Sequence, residues 1–465
     1  MFYQVPQHID NNKVFIVQRS EIEGRLDPKM ALYNRKVQNS LYPKVKLKDV
    51  LVCKPQYGAS EPGVPRSSIK EPRYIRITDI DENGLISHDE LGATAKIIED
   101  KYILCENDIL IARSGATVGK AYIHKPALYD CFFAGYLIRF IINTDKALPE
   151  YIFTYTQLNA YKEWVNAIQR PSGQPNINSE EYQSLEIPLP NIERQQVIVD
   201  VIKSAYLQKK QKESEAKQLL DNVDAYILNE LGITLPEIKT DLKNRIFKVN
   251  RSELEERLDP TVYKDVIKLI SNNYDNVKLS SVAYINPTGT FKGKDIETPI
   301  SFIPMESIDE IYSEVSKLED TTIENASGFT KFKEGDLLWA KITPCMQNGK
   351  SAIAKNLTNG LGCGSTEFFV MRNKDERLAI EYLHVILHMK CVRETAMLYF
   401  GGSAGQQRVS SAFLENFNLP LPPKDKQIEI ANHVYTIRQK AKALQEEGKV
   451  LLEEAKRKVE SMIIG

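Results

Sequence analysis

The feature that most limits what this chain can become is that it is written twice. Residues 15–28 read FIVQRSEIEGRLDP and residues 247–260 read FKVNRSELEERLDP, an offset of 232 positions. The same offset of 232 relates VKLKDV from Val45 to VKLSSV from Val277, and SGQPNINSEEYQSLEIPLP from Ser172 to AGQQRVSSAFLENFNLPLP from Ala404. Between these fixed points the register slips. YIRITDID from Tyr74 answers FIPMESID from Phe302 at 228, and NDILIARSGATVGKA from Asn107 answers GDLLWAKITPCMQNGKS from Gly335 at 228 drifting to 230. PEYIF from Pro149 answers IEYLH from Ile380 at 231. Each half thus has a kept frame and a variable middle, as expected of a scaffold displaying different binding loops.

Each half ends in a long helix. Pro188 and Pro190 suit an extended lead-in, and after Asn191 no Gly or Pro occurs until Gly232. Within this span Ile198, Ile202, Ala205, Lys209, Lys212, Ala216, Leu219, Val223 and Tyr226 alternate at spacings of four and three, the seam of a coiled coil. The second copy, from LPLPP at Leu419, carries Ile430, Val434, Ile437, Ala441, Leu444, Gly448, Leu451, Ala455, Lys458 and Met462 in the same rhythm. A narrow seam shared by two helices in one chain predicts that they pair with each other, rather than packing separately on two domains. Gly448 is expected to weaken its seam by about 1 kcal/mol.

The expected fold is α/β: two tandem mixed α/β domains separated by two long helices that pair as an antiparallel coiled coil. The expected boundaries are 1–190 and 233–422 for the domains, the latter including a linker, and 191–232 and 423–465 for the helices. Short β-rich runs at 74–80, 108–112 and 132–142 precede a helical run from Tyr151 to about Ile168. The linker, residues 232–245, has no long apolar run.

Composition excludes several classes. With a net charge of −1, any attraction to a polyanion must come from local clusters. The six cysteines, Cys53, Cys105, Cys131, Cys345, Cys363 and Cys391, show neither CxxC nor His-paired spacing, which argues against zinc and a disulfide framework. The N-terminal residues lack the apolar core of a signal peptide, and the apolar run at 135–142 is broken by Arg139, so no membrane span and a cytoplasmic location are expected.

Catalytic motifs are absent on inspection. GATVGKA at 115–121 is one residue short of a P-loop and has Ala121 where Ser or Thr is needed, so a turn requiring glycine is the better reading. Asn286-Pro287 begins like an amino-methyltransferase motif, but Thr288 follows and no aromatic residue completes it. Asp336 and Lys341 suggest a nuclease, yet the other copy offers Asp108 and Arg113 without a supporting acidic pair. His384 and His388 form an i, i+4 pair with no third ligand, the pattern of a satisfied structural pair rather than a metal site.

What remains is polar and basic turns. Arg113, Ser114, Thr117 and Lys120 in the first half stand against Lys341, Thr343, Gln347, Asn348 and Lys350 in the second. A later cluster, Gln169, Arg170, Ser172, Gln174, Asn176 and Asn178, is answered by Ser403, Gln406, Gln407, Arg408 and Ser410. Arg and Lys reach guanine edges or phosphates, and Asn and Gln pair with adenine in the major groove. Singly these are ordinary solvated residues; as repeated clusters they point to DNA.

In this order and twice over, several features together resemble the specificity subunit of type I restriction-modification systems: Asn107-Asp108-Ile109-Leu110 and Gly335-Asp336-Leu337-Leu338, the turns Gly173-Gln174 and Gly405-Gln406, and the lead-ins IPLPNIERQQVI and LPLPPKDKQIEI. The resemblance spans nearly the whole chain. It implies two target recognition domains, each reading one half of a split double-stranded DNA site, joined by antiparallel helices that act as a ruler. It further implies a non-catalytic subunit without a cofactor of its own. Two modification subunits would bring S-adenosylmethionine and methylate adenine, and through them ATP-dependent restriction subunits would join. Asn107 departs from the usual glycine. The rival readings are a coiled-coil tether with two ligand-binding lobes, which would leave DNA unbound, and a single-chain nuclease or methyltransferase, which would be active alone.

Overall fold

The computed structural model describes residues 28–36, 40–86, 91–169, 175–236, 267–402 and 406–464, with Ile16 and Lys248. The repeated stretch at 15–28 and 247–260 lies almost wholly outside the described residues, and the linker is described only as far as Pro236. The chain divides into two compact units, residues 1–211 with 447–465, and residues 212–446. Each long helix gives part of its length to each unit.

The first unit is built around the strand Ile109–Ala112, which is buried on both faces and has no polar position. Its side chains alternate: Ile109 and Ile111 enter the core shared with the helices, while Leu110 and Ala112 enter the core under a second sheet. The strand lies third in an antiparallel sheet ordered Gln56–Tyr57, Leu137–Phe140, Ile109–Ala112, Ala121–Ile123. The second sheet runs Gly63–Pro65, Ala93–Ala95, Arg73–Ile75, Cys131–Phe133, its last two strands parallel. The helical run after these strands is two helices, Pro149–Tyr155 and Asn159–Ile168. Thr156 breaks it by donating its hydroxyl to the Phe153 carbonyl at 2.6 Å, a bond that competes with the helical ladder.

The second unit repeats this plan around Leu337–Ala340, with Leu337 and Trp339 on the helix side and Leu338 on the other. Its sheets are ordered Ala283–Ile285, Phe368–Asn373, Leu337–Ala340, Ser351–Ile353, and Glu319–Thr322, Pro299–Ile303, Leu361–Gly364, Thr330–Lys333. Again one parallel pair, Pro299–Ile303 with Leu361–Gly364, lies in the middle of the second sheet. The units differ at that sheet's edges, where the strand Thr330–Lys333 corresponds in the first unit to a single bridge between Ile103 and Phe132.

The turn before each central strand is also shared. Asn107 at φ 70° and Gly335 at φ 82° take the same left-handed conformation, in which Asn is the best substitute for Gly. Asp108 and Asp336 then accept from the Cys105 and Lys333 N–H groups at 2.9 and 2.8 Å. Arg139 and Arg372 neutralise them at 3.3 and 2.7 Å. These aspartates are thus engaged in the same structural contacts in both units.

Each proline-marked lead-in is a strand. Glu186–Pro188 pairs antiparallel with Lys44–Lys46, and Asn418–Leu421 with Asp275–Lys278, so that Val45 faces Ile187 and Val277 faces Leu419. Immediately afterwards a fully buried glutamine ties each long helix to its domain. The Gln195 Oε1 accepts from the Leu148 N–H at 2.8 Å and its Nε2 donates to the Pro190 carbonyl at 2.8 Å. The Gln427 Oε1 accepts from the Ala379 N–H at 2.9 Å, and its Nε2 donates to the Arg377 and Pro422 carbonyls at 2.8 Å.

The first long helix runs Ile192–Asp221 and, after the single turn residue Asn222, continues as Val223–Glu230. The second is uninterrupted over Lys424–Ile463, 40 residues, or roughly 60 Å at the usual rise. Their pairing is antiparallel. In the second unit Lys426 meets Glu230 at 2.6 Å, His433 lies on Tyr226 with ring centroids 4.2 Å apart, and Ala441 packs with Ala216. In the first unit Gly448 lies against Lys209, and Leu452, Ala455, Val459 and Ile463 share a core with Ile198, Ile202 and Ala205.

Two details differ from the expected seam. Near the end of the second helix the expected Ala455 is buried, but Leu452, Val459 and Ile463 are buried one residue beyond the expected Leu451, Lys458 and Met462, and Lys458 is exposed. A straight helix drifts about 20° per heptad against a strict seven-residue repeat, and the first unit's core covers the face that drift presents. Gly448, in turn, does not simply loosen the seam. A Cβ there would meet the Lys209 Cα at 3.4 Å and Cγ at 3.3 Å, so its missing side chain permits close approach of the two backbones. Among the described residues no helix is long and apolar enough to cross a membrane.

His384 and His388 are tied to protein groups. The His384 Nε2 lies 3.1 Å from the Ser351 hydroxyl, and the His388 Nε2 donates to the Glu310 carbonyl at 3.2 Å. Burial, with Arg438 adding repulsion, lowers the His384 pKa from 6.5 to about 3. His388 is likewise pushed well below its ordinary value.

Three outcomes are expected. Gln427→Leu keeps the volume but strands the Ala379 N–H and its carbonyl partners, and should cost about 1–3 kcal/mol per buried group in denaturant unfolding. Gly448→Leu should lower the thermal midpoint, with an overpacking cost of roughly 1–3 kcal/mol. Below pH 6.5 the unfolded chain binds protons that the folded histidines refuse, so stability should fall progressively between pH 6.5 and about 3. A His384→Gln chain should show a shallower acid slope in thermal scans.

Candidate nucleic-acid interface

The two polar clusters of each half, far apart in sequence, meet where the chain leaves the central strand. In the first unit the Arg113 N–H donates to the Tyr136 carbonyl at 3.0 Å, the Ile177 N–H to the Arg113 carbonyl at 2.9 Å, and the Gly115 N–H to the Pro175 carbonyl at 3.0 Å. The second unit repeats all three: Lys341 N–H to Glu367 carbonyl at 2.9 Å, Val409 N–H to Lys341 carbonyl at 2.9 Å, and Thr343 N–H to Gln407 carbonyl at 3.0 Å. Isolated bridges, Ser114 with Asn176 and Ile342 with Arg408, complete the match. One backbone frame therefore holds Arg113, Tyr136 and Asn176 in the first unit, and Lys341, Glu367 and Arg408 in the second.

The side chains on that frame differ in chemistry. Tyr136 is 65% exposed, and the Arg113 guanidinium sits 4.9 Å from the centre of the Tyr57 ring. Asn176 is exposed. In the second unit the Lys341 ammonium lies 5.5 Å from the Phe369 ring centre, and Arg408 makes an ion pair with Glu367 at 2.8 Å. Hydrogen bonding from Arg408, with added attraction from Lys341, holds the Glu367 carboxyl below the usual range, so the group is charged at neutral pH.

The other candidates fall into three groups. Arg170, Ser172, Gln174 and Ser403 lie outside the described residues. Ser114, Thr117, Lys120 and Gln407 are half-buried around the rim, and Gln406 is exposed. The rest of the second loop is partly occupied. Lys350 donates to the Met305 carbonyl at 3.2 Å, Asn348 to the Glu310 carboxylate at 3.1 Å, and the Gln347 carbonyl accepts from Arg393. These bonds commit 347–350 to the unit's own loops and leave Lys341, Thr343, Glu367, Gln406, Gln407 and Arg408 at the rim. The Thr343 hydroxyl has no hydrogen-bond partner among the described residues.

The glycine turn at 115–121 uses its amides internally. The Gly115, Val118, Gly119 and Lys120 N–H groups donate to the Pro175, Gly115, Ala112 and Thr117 carbonyls, so they do not form a phosphate cradle. Sequence reasoning missed Tyr57, Tyr136 and Glu367. Tyr136 and Glu367 directly precede the strands that pair with the central one, a position that no residue type marks.

The family model described as type I restriction modification DNA specificity domain matches residues 73–219 and 271–453. The EcoEI specificity subunit of Escherichia coli is 35% identical over 168 residues, covering 35% of this chain and 27% of that protein. The EcoAI specificity subunit of Escherichia coli is 35% identical over 166 residues with the same coverages of 35% and 27%. The matched part is thus about a quarter of the length of these curated relatives. A solved structure concerning complex assembly and conformational transition of the type I R-M system has a chain with the same fold. It matches at a TM-score of 0.50 and 16% identity, over 90% of this chain and 96% of that one.

Proposed function

Because the chain belongs to the family of type I restriction modification DNA specificity domains, we propose that it is the sequence-reading subunit of a type I restriction-modification complex, each unit contacting one part of a split DNA site. The observation that carries this reading is the shared rim, where one hydrogen-bonded frame presents Arg113, Tyr136 and Asn176 in one unit and Lys341, Glu367 and Arg408 in the other. Asn can bond adenine N6 and N7, Arg can fork onto guanine O6 and N7, and Lys can reach guanine or phosphate. Two unlike rims on one frame suit two unlike half-sites.

In this proposal the chain performs neither methyl transfer nor cleavage and needs no cofactor. Two modification subunits carry S-adenosylmethionine and methylate adenine, and ATP-dependent restriction subunits join where the host has them. The long helices support a docking role: Val197, Leu207, Ile428, Tyr435 and Val450 keep between 41 and 61% of their surface exposed. The complex works in the cytoplasm, on double-stranded DNA.

Mapping methylated bases in a host carrying the complex should reveal an asymmetric motif of two unlike parts flanking unread bases; a palindromic or continuous motif contradicts the proposal. Arg113→Ala and Lys341→Ala should each cost roughly 1–3 kcal/mol of DNA affinity in titrations of the assembled complex, if each touches a base edge. DNA binding at background level with modification subunits present would point instead to a tether that does not read DNA.

A further inference from the structure

The ion pair at the second rim is placed unusually for a surface salt bridge. Arg408 donates Nε–H to both oxygens of Glu367 at 3.1 and 2.9 Å, and Nη2 to Oε1 at 2.8 Å. Its Nη1 donates to the Gln406 carbonyl at 3.0 Å. The Arg408 side chain nevertheless remains 43% exposed and that of Glu367 21%. A guanidinium has five N–H donors, and these contacts occupy one on each nitrogen, so each terminal nitrogen keeps one N–H among the described residues. The carboxylate likewise keeps lone pairs beyond those that accept from Arg408. The pair thus presents two donors beside an acceptor, on the frame where the first unit places Asn176 and Tyr136.

That pattern has one complement in the major groove. Read from the purine, a G·C pair shows two acceptors, N7 and O6, and then the cytosine N4 donor. An A·T pair shows acceptor, donor, acceptor, and would set the adenine N6–H₂ against an arginine donor. We propose that Arg408 and Glu367 together read a single G·C base pair, Arg408 bonding guanine and Glu367 accepting from cytosine N4. This rests on the reading of the chain as a DNA specificity subunit. At the equivalent positions of the first rim, Asn176 and Tyr136 form no such pair. Holding the guanidinium against Glu367 also fixes its plane before DNA arrives, so less side-chain freedom is lost on binding.

The test uses the complete complex with its modification subunits, comparing the unaltered chain with Arg408→Ala, Arg408→Lys, Glu367→Gln and the charge exchange Glu367→Arg with Arg408→Glu. Methylated motifs are mapped, and affinity is measured for the native site and for each single base-pair change. The single variants should lose discrimination at the same G·C position by roughly 5- to 150-fold, leaving the other part of the site unchanged. The charge exchange should not restore it, whereas a merely structural ion pair would be rescued. Unaltered discrimination at every position, rescue by the exchange, or a uniform loss across all sequences overturns the proposal. A complex of the unaltered chain that binds no DNA and leaves no motif would instead sink the functional reading on which it rests.

Discussion

One buried amide at the foot of each long helix is the contact on which the rest depends. Gln195 and Gln427 are fully buried, and each joins a proline lead-in, the start of a domain helix and the first turn of a long helix. The prolines cannot donate, so their neighbourhood is rich in carbonyls that need partners, and the side-chain amide supplies them. Because a buried polar group left unbonded is costly, the junction has one satisfied geometry and resists alternatives. Tyr151 and Tyr382 strengthen it from below by donating to the Pro188 and Pro420 carbonyls at 2.5 and 2.7 Å.

From that fixed foot each unit carries an apolar strand covered on both sides to the place where its loops emerge. The strands ILIA and LLWA hold no polar side chain, so they cannot slip by one residue without changing which core each face fills. The aspartate turn before each strand and the amide ladder after it extend this rigidity to the rim. Side chains at the rim are then free to differ, because the bonds that shape it are between backbone groups. This separation lets one architecture hold Arg, Tyr and Asn in one copy and Lys, Glu and Arg in the other.

Much of this was legible in the residues, for identifiable reasons. The helices announced themselves through their periodicity and the prolines before them, and the matching offsets implied two copies of one fold. The clusters at 113–120 and 169–178 were visible as composition, but their adjacency through the Ser114–Asn176 bridge was not, since strand pairing at such separation leaves no local trace. Tyr136 and Glu367 were invisible because each reaches the rim through its position before a strand. The drift of the seam from Leu451, Lys458 and Met462 to Leu452, Val459 and Ile463 depends on which face the first unit's core covers. That Gly448 lies against the Lys209 backbone was likewise not readable from propensity, which counts only the helix a residue belongs to.

The sequence by itself determined that the chain is two copies of one mixed domain, each followed by a long amphipathic helix, because duplication and periodicity are written along the chain. Only the tertiary structure decided which polar residues stand together at each rim, which of them are already occupied, as Lys350 and Asn348 are, and which present open donors, as Arg408 does. The reason is physical: periodicity is a property of neighbours in sequence. The availability of a hydrogen-bonding group depends on whatever the fold brings within about 3 Å of it.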